Sequence, residues 1–490
     1  MFAAVTSVAL VGVEPRPVRI EVHIAGKKPG VAIVGLPDAA VREARERVSA
    51  AIVASGFEFP QRRVVINLSP ADLPKAGSAY DLPIALGVLA ASRQIAVGLA
   101  DVVALGELGL DGALRSVTGG LGAAVVGRSM KRLCILPEAS GPEAAVITDT
   151  PIALAASLAE AIQAARGVDV RTPMPAAVAE PTSRADFSDI RGHALAKRAL
   201  EVAAAGGHHV LLSGPPGAGK TMLARAVPSI LPMLDREAAL DVALGWAAVG
   251  RHRIDMLVPP FRAPHHSATM AALIGGGSGI PVAGEVTLAN HGVLFLDELG
   301  EFPVHLLDGL RQPIEDGSVV VARKGASVEF PSRFQLIGAT NPCPCGFRDD
   351  RTTACVCSAT SIERYRRRLS GPLVDRFDVR VVVDRVPADD LVGGRAESSA
   401  AVRIRVVAAV ELQRLRGQLN RDLHRRDLDD QPWDTGATAL LRKAVSTSAL
   451  TARGWDRVRR LARTVADLAG SATINKGHVA EALVLRGVRQ

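Results

Sequence analysis

The sequence predicts an α/β protein: a core with a parallel sheet, preceded by an α+β unit and followed by a helical end. Strand-like and helix-like segments alternate over residues 1–166. In the second part, an apolar run at Val210–Ser213 leads at once into a glycine-rich turn and a helical pattern. From about residue 398 the pattern is wholly helical. The predicted divisions are therefore 1–166, a linker at 167–189, a core at 190–385 and a helical unit at 386–490.

Length and composition limit the class of protein. The 490 residues are about three times a typical domain of roughly 150 residues, so we expect two or three domains. No apolar stretch reaches the roughly 18 residues that a spanning helix needs, and we find no export signal, so we expect a cytoplasmic protein with no membrane partner. The net charge of +8 permits a polyanionic partner, while 3% aromatic residues argue against a base-stacking groove.

The front unit is expected to begin with strands and helices in alternation. Strands are predicted at Val18–Ile24, Val31–Val34 and Arg63–Leu68, and helices at Ala39–Ser55 and Leu82–Ala91. Asp38 is the expected N-cap of the first helix, and Gly56 its stop. Prolines at 173, 175 and 181 among small polar residues indicate the linker.

One motif in the core has a specific chemical meaning. The glycine-rich turn reads Gly214-Pro215-Pro216-Gly217-Ala218-Gly219-Lys220-Thr221, which fills every fixed position of GxxxxGK[ST] between a strand and a helix. Backbone N–H groups of such a loop surround phosphate oxygens, Lys220 reaches the β- and γ-phosphates, and Thr221 ligates Mg²⁺. We therefore expect ATP and Mg²⁺ as ligands.

Two later strands end in polar residues of the right kind. Gly292–Leu296 is followed by Asp297, expected to hold Mg²⁺, and by Glu298, expected to orient and deprotonate the attacking water. The strand Phe334–Thr340 ends at Asn341, which either reaches the γ-phosphate or the water, or caps a turn before Pro342.

These motifs in this order, followed by a helical lid, resemble AAA+ ATPases. Further segments resemble the magnesium-chelatase-like ComM/YifB family across nearly the whole chain: Arg262–Ser267, Gly284–Ala289, Leu310–Pro313, Asn341–Gly346 and Leu369–Asp378. The resemblance implies a homo-hexameric motor of the pre-sensor-1 hairpin group. It also implies action on single-stranded or branched DNA, without sequence preference, as a branch-migration helicase, with recombination proteins as further partners.

The resemblance also assigns roles by position. Lys220 and Thr221 match Walker A, Asp297 and Glu298 match Walker B, and Asn341 matches sensor 1. Arg376 matches the arginine finger that reaches the neighbouring subunit's nucleotide, and Arg453 matches sensor 2. The alternatives are a surface ion pair of Arg376 with Asp375 or Asp378, and a solvated Arg453.

Two insertions lie between these motifs. Ser318–Phe330 consists of two β-rich runs around a Lys-Gly turn and resembles the pre-sensor-1 hairpin, in which Arg323 and Lys324 would hold DNA phosphates. The alternative is an ordinary solvated tip. Phe261–Ile280 stands where this group has its helix-2 insert, and we expect its paired histidines, His265 and His266, to be structural rather than metal ligands.

Four of the five cysteines lie close together, as the pairs Cys343-Pro344-Cys345 and Cys355-Val356-Cys357. Four thiolates can close a tetrahedral Zn²⁺ site, although Cys-x-Cys is tighter than the common spacing. The alternative is reduced thiols without a metal.

The front unit, in turn, resembles the proteolytic domain of Lon at Pro74–Ser78, Ala104–Gly112, Gly119–Leu121 and Cys134–Pro137. The catalytic lysine expected after Leu121 is absent and Ser78 is one place off, so we expect an inactive protease domain with a structural, assembly or DNA-guiding role. The leading prediction is a DNA-translocating ATPase. The alternatives are a magnesium-chelatase motor subunit and an ATP-dependent protease.

Overall fold

The computed structural model describes most of the chain. The described residues are 1–26, 28–73, 75, 77–174, 185–251, 253, 255–277, 281–323, 326–348, 350, 352–369, 373–387, 390, 396–447 and 450–487. None of the helices in these ranges is long and apolar enough to cross a membrane.

The front unit is built on a seven-stranded mixed sheet of order β3-β4-β2-β1-β5-β8-β9. Its strands are β1 Phe2–Val11, β2 Glu14–Ala25, β3 Gly30–Val34, β4 Arg63–Ser69, β5 Val102–Ala104, β8 Leu133–Pro137 and β9 Ile152–Ala155, with a small pair β6 Glu107–Leu108 and β7 Leu114–Arg115. Its helices are α1 Ala39–Ala54, α2 Asp81–Ala91, α3 Gly120–Met130, α4 Gly141–Ala144 and α5 Leu158–Ala165.

Local sequence explains these elements. In β2 every second residue from Val18 to Ile24 is buried, which places one face of the sheet against the apolar helix α2. The Asp38 side chain accepts a hydrogen bond from the backbone N–H of Val41, as an N-cap does. The predicted strands and helices of this unit are confirmed, and the apolar first residues of the chain form a further strand, β1.

The core carries a five-stranded parallel sheet of order β11-β14-β17-β10-β18. These strands are β10 Val210–Ser213, β11 Phe261–Arg262, β14 Val293–Leu296, β17 Gln335–Thr340 and β18 Val379–Val382. Two hairpins flank it, β12 Gly275–Gly276 with β13 Val282–Ala283, and β15 Ser318–Arg323 with β16 Ala326–Pro331. The helices are α6 Ala194–Gly206, α7 Lys220–Ala226, α8 Arg236–Ala247, α9 Met270–Leu273, α10 Glu285–Leu288, α11 Val304–Gly309, α12 Arg311–Asp316 and α13 Ala359–Leu369.

The C-terminal region is helical, as predicted, and it packs on the core. Its helices are α14 Ser399–Leu415, α15 Arg425–Asp429, α16 Thr435–Ser446, α17 Ala452–Leu468 and α18 Lys476–Leu485. Buried carboxylates fix α17. Asp467 accepts hydrogen bonds from Arg463, Arg416 and Asn420, and Arg457 pairs with Asp378, next to β18, at 3.2 Å. Because these buried charges are all paired, removing one partner would be costly.

The front unit packs against the core, and two of these contacts involve α8 and the β15–β16 hairpin. Leu240, Ala243 and Leu244 of α8 are buried together with apolar residues of α3. At the turn between β1 and β2, a Cβ on Gly12 would lie 2.2 Å from Val328 Cγ1 of the β15–β16 hairpin. Strand β16 of that hairpin is therefore packed against the front unit.

We predict that Gly12→Ala destabilises the protein more than a glycine change with the same backbone strain. Gly12 has φ +63°, and Gly470, at φ +64°, has nothing within 4 Å of an added Cβ. Since only Gly12→Ala adds overpacking, it should cost about 1–3 kcal/mol more than Gly470→Ala, measured as the unfolding midpoint by calorimetry. Equal losses would mean that the turn does not dock on Val328.

Candidate nucleotide site

The glycine-rich loop Gly214–Thr221 lies between β10 and α7, and its shape requires glycine. Gly217 and Gly219 have φ of +76° and +85°, in the left-handed region that favours glycine. A Cβ on Gly214 would lie 2.0 Å from the carbonyl oxygen of Val383, which follows β18. The loop is thus closed tightly over the carboxyl end of the sheet.

Lys220 is buried at the start of α7, and acceptors surround its ammonium group. Its Nζ donates hydrogen bonds to the carbonyls of Gly214 at 2.6 Å and Pro215 at 2.8 Å, and to Asn341 Oδ1 at 3.1 Å. Burial lowers the pKa of Lys220, while the negative charges of Asp297 and Glu298 act in the opposite direction. A buried cation held by neutral acceptors suits a site for phosphate oxygens.

The two acids follow β14, as predicted. Thr221 Oγ1 donates to Asp297 Oδ2 at 2.8 Å, so a hydroxyl and a carboxylate converge where Mg²⁺ would take oxygen ligands. The backbone N–H of Glu298 donates to Asp297 Oδ1 at 3.0 Å, and Glu298 has φ +50°. A non-glycine residue in this region is strained, a feature that clusters at functional sites. The Glu298 carboxylate is exposed, whereas the Asp297 carboxylate accepts hydrogen bonds from Thr221 and from the Glu298 N–H.

Two histidines adjoin this site that the sequence did not assign to it. His266 Nδ1 lies 3.6 Å from Glu298 Oε2, and its ring contacts the ring of His265 at an angle of 35°, with centroids 4.0 Å apart. His193 Nε2 lies 3.2 Å from the place that a Cβ on Gly219 would take. Burial lowers the pKa of His193, and the positive charge of Lys197 lowers it further. Spacing gives no signal for either contact, because both depend on how distant segments fold together.

Asn341 is placed by a packed tyrosine as well as by β17. The Tyr365 hydroxyl lies 3.2 Å from Thr340 Oγ1, immediately before Asn341. A Cβ on Gly300 would lie 2.4 Å from the same hydroxyl oxygen, so the ring rests on the segment after Glu298. Helix α13 therefore supports the ends of both β14 and β17.

The two predicted arginines are not among the groups that contact Lys220. Arg376 is mostly buried, and its guanidinium pairs with Glu315 of α12. The alternative ion pair of Arg376 with Asp375 or Asp378 is therefore wrong. Asp375 pairs with Arg380 at 3.5 Å, and Asp378 pairs with Arg457. Arg453 is exposed in the first turn of α17.

The β15–β16 hairpin is confirmed, with Arg323 opposite Ala326 at its tip. Arg323 Nε donates to the Gly277 carbonyl at 3.2 Å, and Nη1 donates to the Ala322 carbonyl at 2.9 Å. Within the described ranges no carboxylate pairs with Arg323. Lys324 lies outside the described residues.

The four clustered cysteines have their Sγ atoms within 4.8 Å of one another. Sγ of Cys343 lies 3.4 Å from that of Cys345 and 3.7 Å from that of Cys355. Tetrahedral zinc with Zn–S bonds of about 2.3 Å requires S···S separations of about 3.8 Å. Backbone N–H groups of Cys345 and Arg348 donate to Sγ of Cys357 and Cys343 at 3.3 Å each. This donor set fits a thiolate-bound metal ion.

The front unit lacks the catalytic arrangement of a serine–lysine protease at the positions expected from its sequence. The positions after Leu121 include the buried alanines Ala123 and Ala124 at the start of α3. The Ser78 hydroxyl donates to a Glu107 carboxylate oxygen, and buried Lys75 donates to the Pro70 carbonyl. Burial lowers the pKa of Lys75.

Comparisons with known proteins show which family the chain resembles. Three family models match in order: subunit ChlI of Mg-chelatase at residues 20–140, magnesium chelatase subunit ChlI at 186–391, and the ChlI C-terminal region at 396–486. An uncharacterized protein YifB of Salmonella typhimurium is 41% identical, covering 99% of this chain and 97% of the relative. The competence protein ComM of Haemophilus influenzae is 40% identical, with the same coverage.

The chain belongs to the magnesium-chelatase-like YifB/ComM family. With it the predicted fold class is confirmed: an α/β AAA+ core with a parallel sheet and a helical C-terminal region. The likeness to Lon is partial: Lon protease 2 of Bacillus subtilis is 29% identical over 38% of this chain and 37% of the relative. Family membership indicates an ATPase that uses ATP and Mg²⁺.

We predict that Lys220→Ala weakens ATP binding by about 100-fold or more, because the buried ammonium is the cation that the loop presents to phosphate. Titration with a fluorescent ATP analogue measures the loss. Lys443→Ala, which removes an exposed lysine from α16, is the matched control and should bind ATP like the unmodified protein. Unchanged affinity in Lys220→Ala would exclude this loop as the phosphate site.

Proposed function

We propose that this protein is a hexameric ATP-driven DNA translocase that promotes branch migration of incoming DNA in the cytoplasm. The observation that carries the proposal is the position of the β15–β16 hairpin. It is inserted in the chain between β14, which ends at Asp297 and Glu298, and β17, which ends at Asn341. In this proposal a conformational change at the γ-phosphate is transmitted to the cationic hairpin tip through the short chain segments that join the hairpin to β14 and β17.

The residues of the site divide the hydrolytic work. Lys220 binds the β- and γ-phosphates, and Thr221 and Asp297 hold Mg²⁺, which neutralises charge on the phosphates when bound. Glu298 takes a proton from the attacking water, and Asn341 orients that water or the γ-phosphate. Arg453, exposed at the start of α17, acts as the sensor 2 cation in this proposal.

A neighbouring subunit completes the site. Arg376 follows α13, and we assign it to the nucleotide of the adjacent copy, where its charge stabilises the transferred phosphoryl group. Its partner Glu315 has an exposed carboxylate, so the ion pair is accessible at the protein surface. In this proposal Arg376 exchanges Glu315 for the neighbour's phosphate when the ring closes.

The DNA contact is electrostatic. No carboxylate of the described residues pairs with Arg323 at the hairpin tip, and we assign Arg323 and Lys324 to backbone phosphates, which are the same for every sequence. The competence protein ComM, a relative over the full length, supports DNA as the substrate. Recombination proteins would be the further partners.

The cysteine cluster completes the list of proposed ligands. We assign Cys343, Cys345, Cys355 and Cys357 to one structural Zn²⁺, because their four Sγ atoms lie within 4.8 Å of one another, near the separations that a tetrahedral zinc site needs. Reduced thiols without a metal are the alternative, and metal analysis of the purified protein separates the two.

DNA-stimulated ATPase activity tests the function directly. We expect forked DNA to raise the ATPase rate, and the stimulation to fall steeply as salt rises, because phosphate contacts release counterions. Arg323→Ala should weaken the DNA dependence and reduce the salt slope. Arg442→Ala removes an exposed arginine from α16 and is the charge-matched control. An ATPase rate that DNA leaves unchanged would contradict the proposal.

A magnesium-chelatase motor is the second candidate, because the three matching family models carry that subunit's name. It predicts ATP-dependent insertion of Mg²⁺ into a porphyrin with partner subunits, and no response to DNA. An ATP-dependent protease is disfavoured by the Ser78–Glu107 contact and the missing lysine. ATP-dependent cleavage of casein by the purified protein would support the protease instead.

Mixed rings test the role of Arg376. We predict that Arg376→Ala and Glu298→Gln are each inactive alone, whereas a 1:1 mixture regains turnover, because about a quarter of the composite sites then hold both groups. Glu315→Gln breaks the ion pair but keeps the guanidinium, so it should hydrolyse ATP at a near-normal rate. Loss of activity in Glu315→Gln equal to that in Arg376→Ala, with no recovery on mixing, would make the arginine structural.

A further inference from the structure

The cysteine cluster lies directly against the phosphate-binding loop. Gly346 follows Cys345, and a Cβ on Gly346 would lie 2.5 Å from Cδ of Pro216. Gly346 has φ +85°, and its N–H donates to the Cys343 carbonyl at 2.9 Å. The backbone of the cysteine loop therefore touches the ring of a residue in the middle of the P-loop.

The same short segment carries the residue that contacts Lys220. Asn341 stands two positions before Cys343, and its Cγ lies 3.7 Å from the Cβ position of Gly346. Its Oδ1 accepts the hydrogen bond from Lys220 Nζ. Residues 341–346, which we call the contact segment, thus form one side of the nucleotide site.

The four cysteines bring the contact segment close to residues 355–357. Cys343 is buried and Cys345 is half-buried, while Cys355 and Cys357 come from the far end of the same excursion, before α13. The N–H groups that point at Sγ of Cys343 and Cys357 belong to Arg348 and Cys345. Such donors stabilise negative thiolates and orient metal ligands.

Contacts between thiols alone would hold these two parts of the loop together only weakly. A thiol is a poor donor and acceptor, so four protonated cysteines at these separations contribute little. A single zinc ion bonded to all four would instead fix the distance between residues 343–345 and 355–357. It would therefore also fix the contact segment on the P-loop.

We propose that a zinc ion bound by Cys343, Cys345, Cys355 and Cys357 positions the contact segment against Pro216 and so sets the affinity of the protein for ATP. The inference rests on the proposed nucleotide and zinc sites and adds their coupling. The cysteines are positioning residues, because they act on the nucleotide through Asn341 and the P-loop. A zinc site that only stabilised a distant loop would leave ATP affinity unchanged.

Zinc content and ATP affinity are to be measured on the same full-length samples. We expect one zinc per chain in the unmodified protein and in Cys134→Ala, which removes the cysteine outside the cluster. We expect Cys345→Ser to lose zinc and to bind a fluorescent ATP analogue at least about tenfold more weakly. Removing zinc from the unmodified protein with a chelator should give the same loss, and restoring zinc should reverse it. Equal ATP affinity with and without zinc overturns the coupling.

A second variant keeps the test decisive if the zinc-free protein unfolds. Gly346→Ala leaves all four ligands in place but drives a methyl group into the Pro216 ring, so it should keep its zinc and still bind ATP more weakly. Gly417→Ala, at φ +92° with nothing within 4 Å, controls for backbone strain. Normal ATP affinity in Gly346→Ala overturns the coupling.

The underlying assignments fail in separate ways. Absence of zinc from the unmodified protein overturns the metal site and with it the inference. Absence of ATP binding in zinc-loaded protein overturns the nucleotide site.

Discussion

The hydrogen bonds of the Lys220 ammonium hold the site together, since they join β10, through its loop, to the end of β17. They are available because the strands of the core sheet are parallel, so that β10, β14 and β17 all end at one edge. Asp297 reaches Thr221 from β14 for the same reason. A single topological fact therefore brings together the groups that we propose to bind phosphate, magnesium and water, from segments up to 121 residues apart.

The segments that we propose to move during ATP hydrolysis, or to respond to the bound nucleotide, are attached to that edge of the core sheet. The hairpin follows β14 through α11 and α12 and leads on to β17, and its strand β16 packs on Gly12 of the front unit. The cysteine excursion begins just after Asn341 and leads through α13 to Arg376. Hydrolysis that shifts Asn341 or Glu298 by a small distance would thus act together on the front unit, on the hairpin tip that we propose to contact DNA, and on the proposed neighbouring subunit.

The sequence predicts those parts of the site that are contiguous motifs. Gly214–Thr221 and the Asp297–Glu298 pair follow apolar strands, and their local pattern is sufficient to place them. Contacts that depend on tertiary packing were not predictable: Arg376 pairs with Glu315 rather than Asp375 or Asp378, and His266 comes close to Glu298. Gly346 on Pro216 belongs to the same class, because nothing in the spacing of two glycine-containing loops shows that they touch.

Branch migration is tested most directly by following, with fluorescence, the ATP-driven movement of a synthetic four-way DNA junction. We predict that the unmodified protein converts the junction into its two duplex products only when ATP is hydrolysed. Glu298→Gln should bind ATP and the junction but leave the junction unmoved. Robust ATP hydrolysis with no movement of the junction under any salt condition would contradict the central claim.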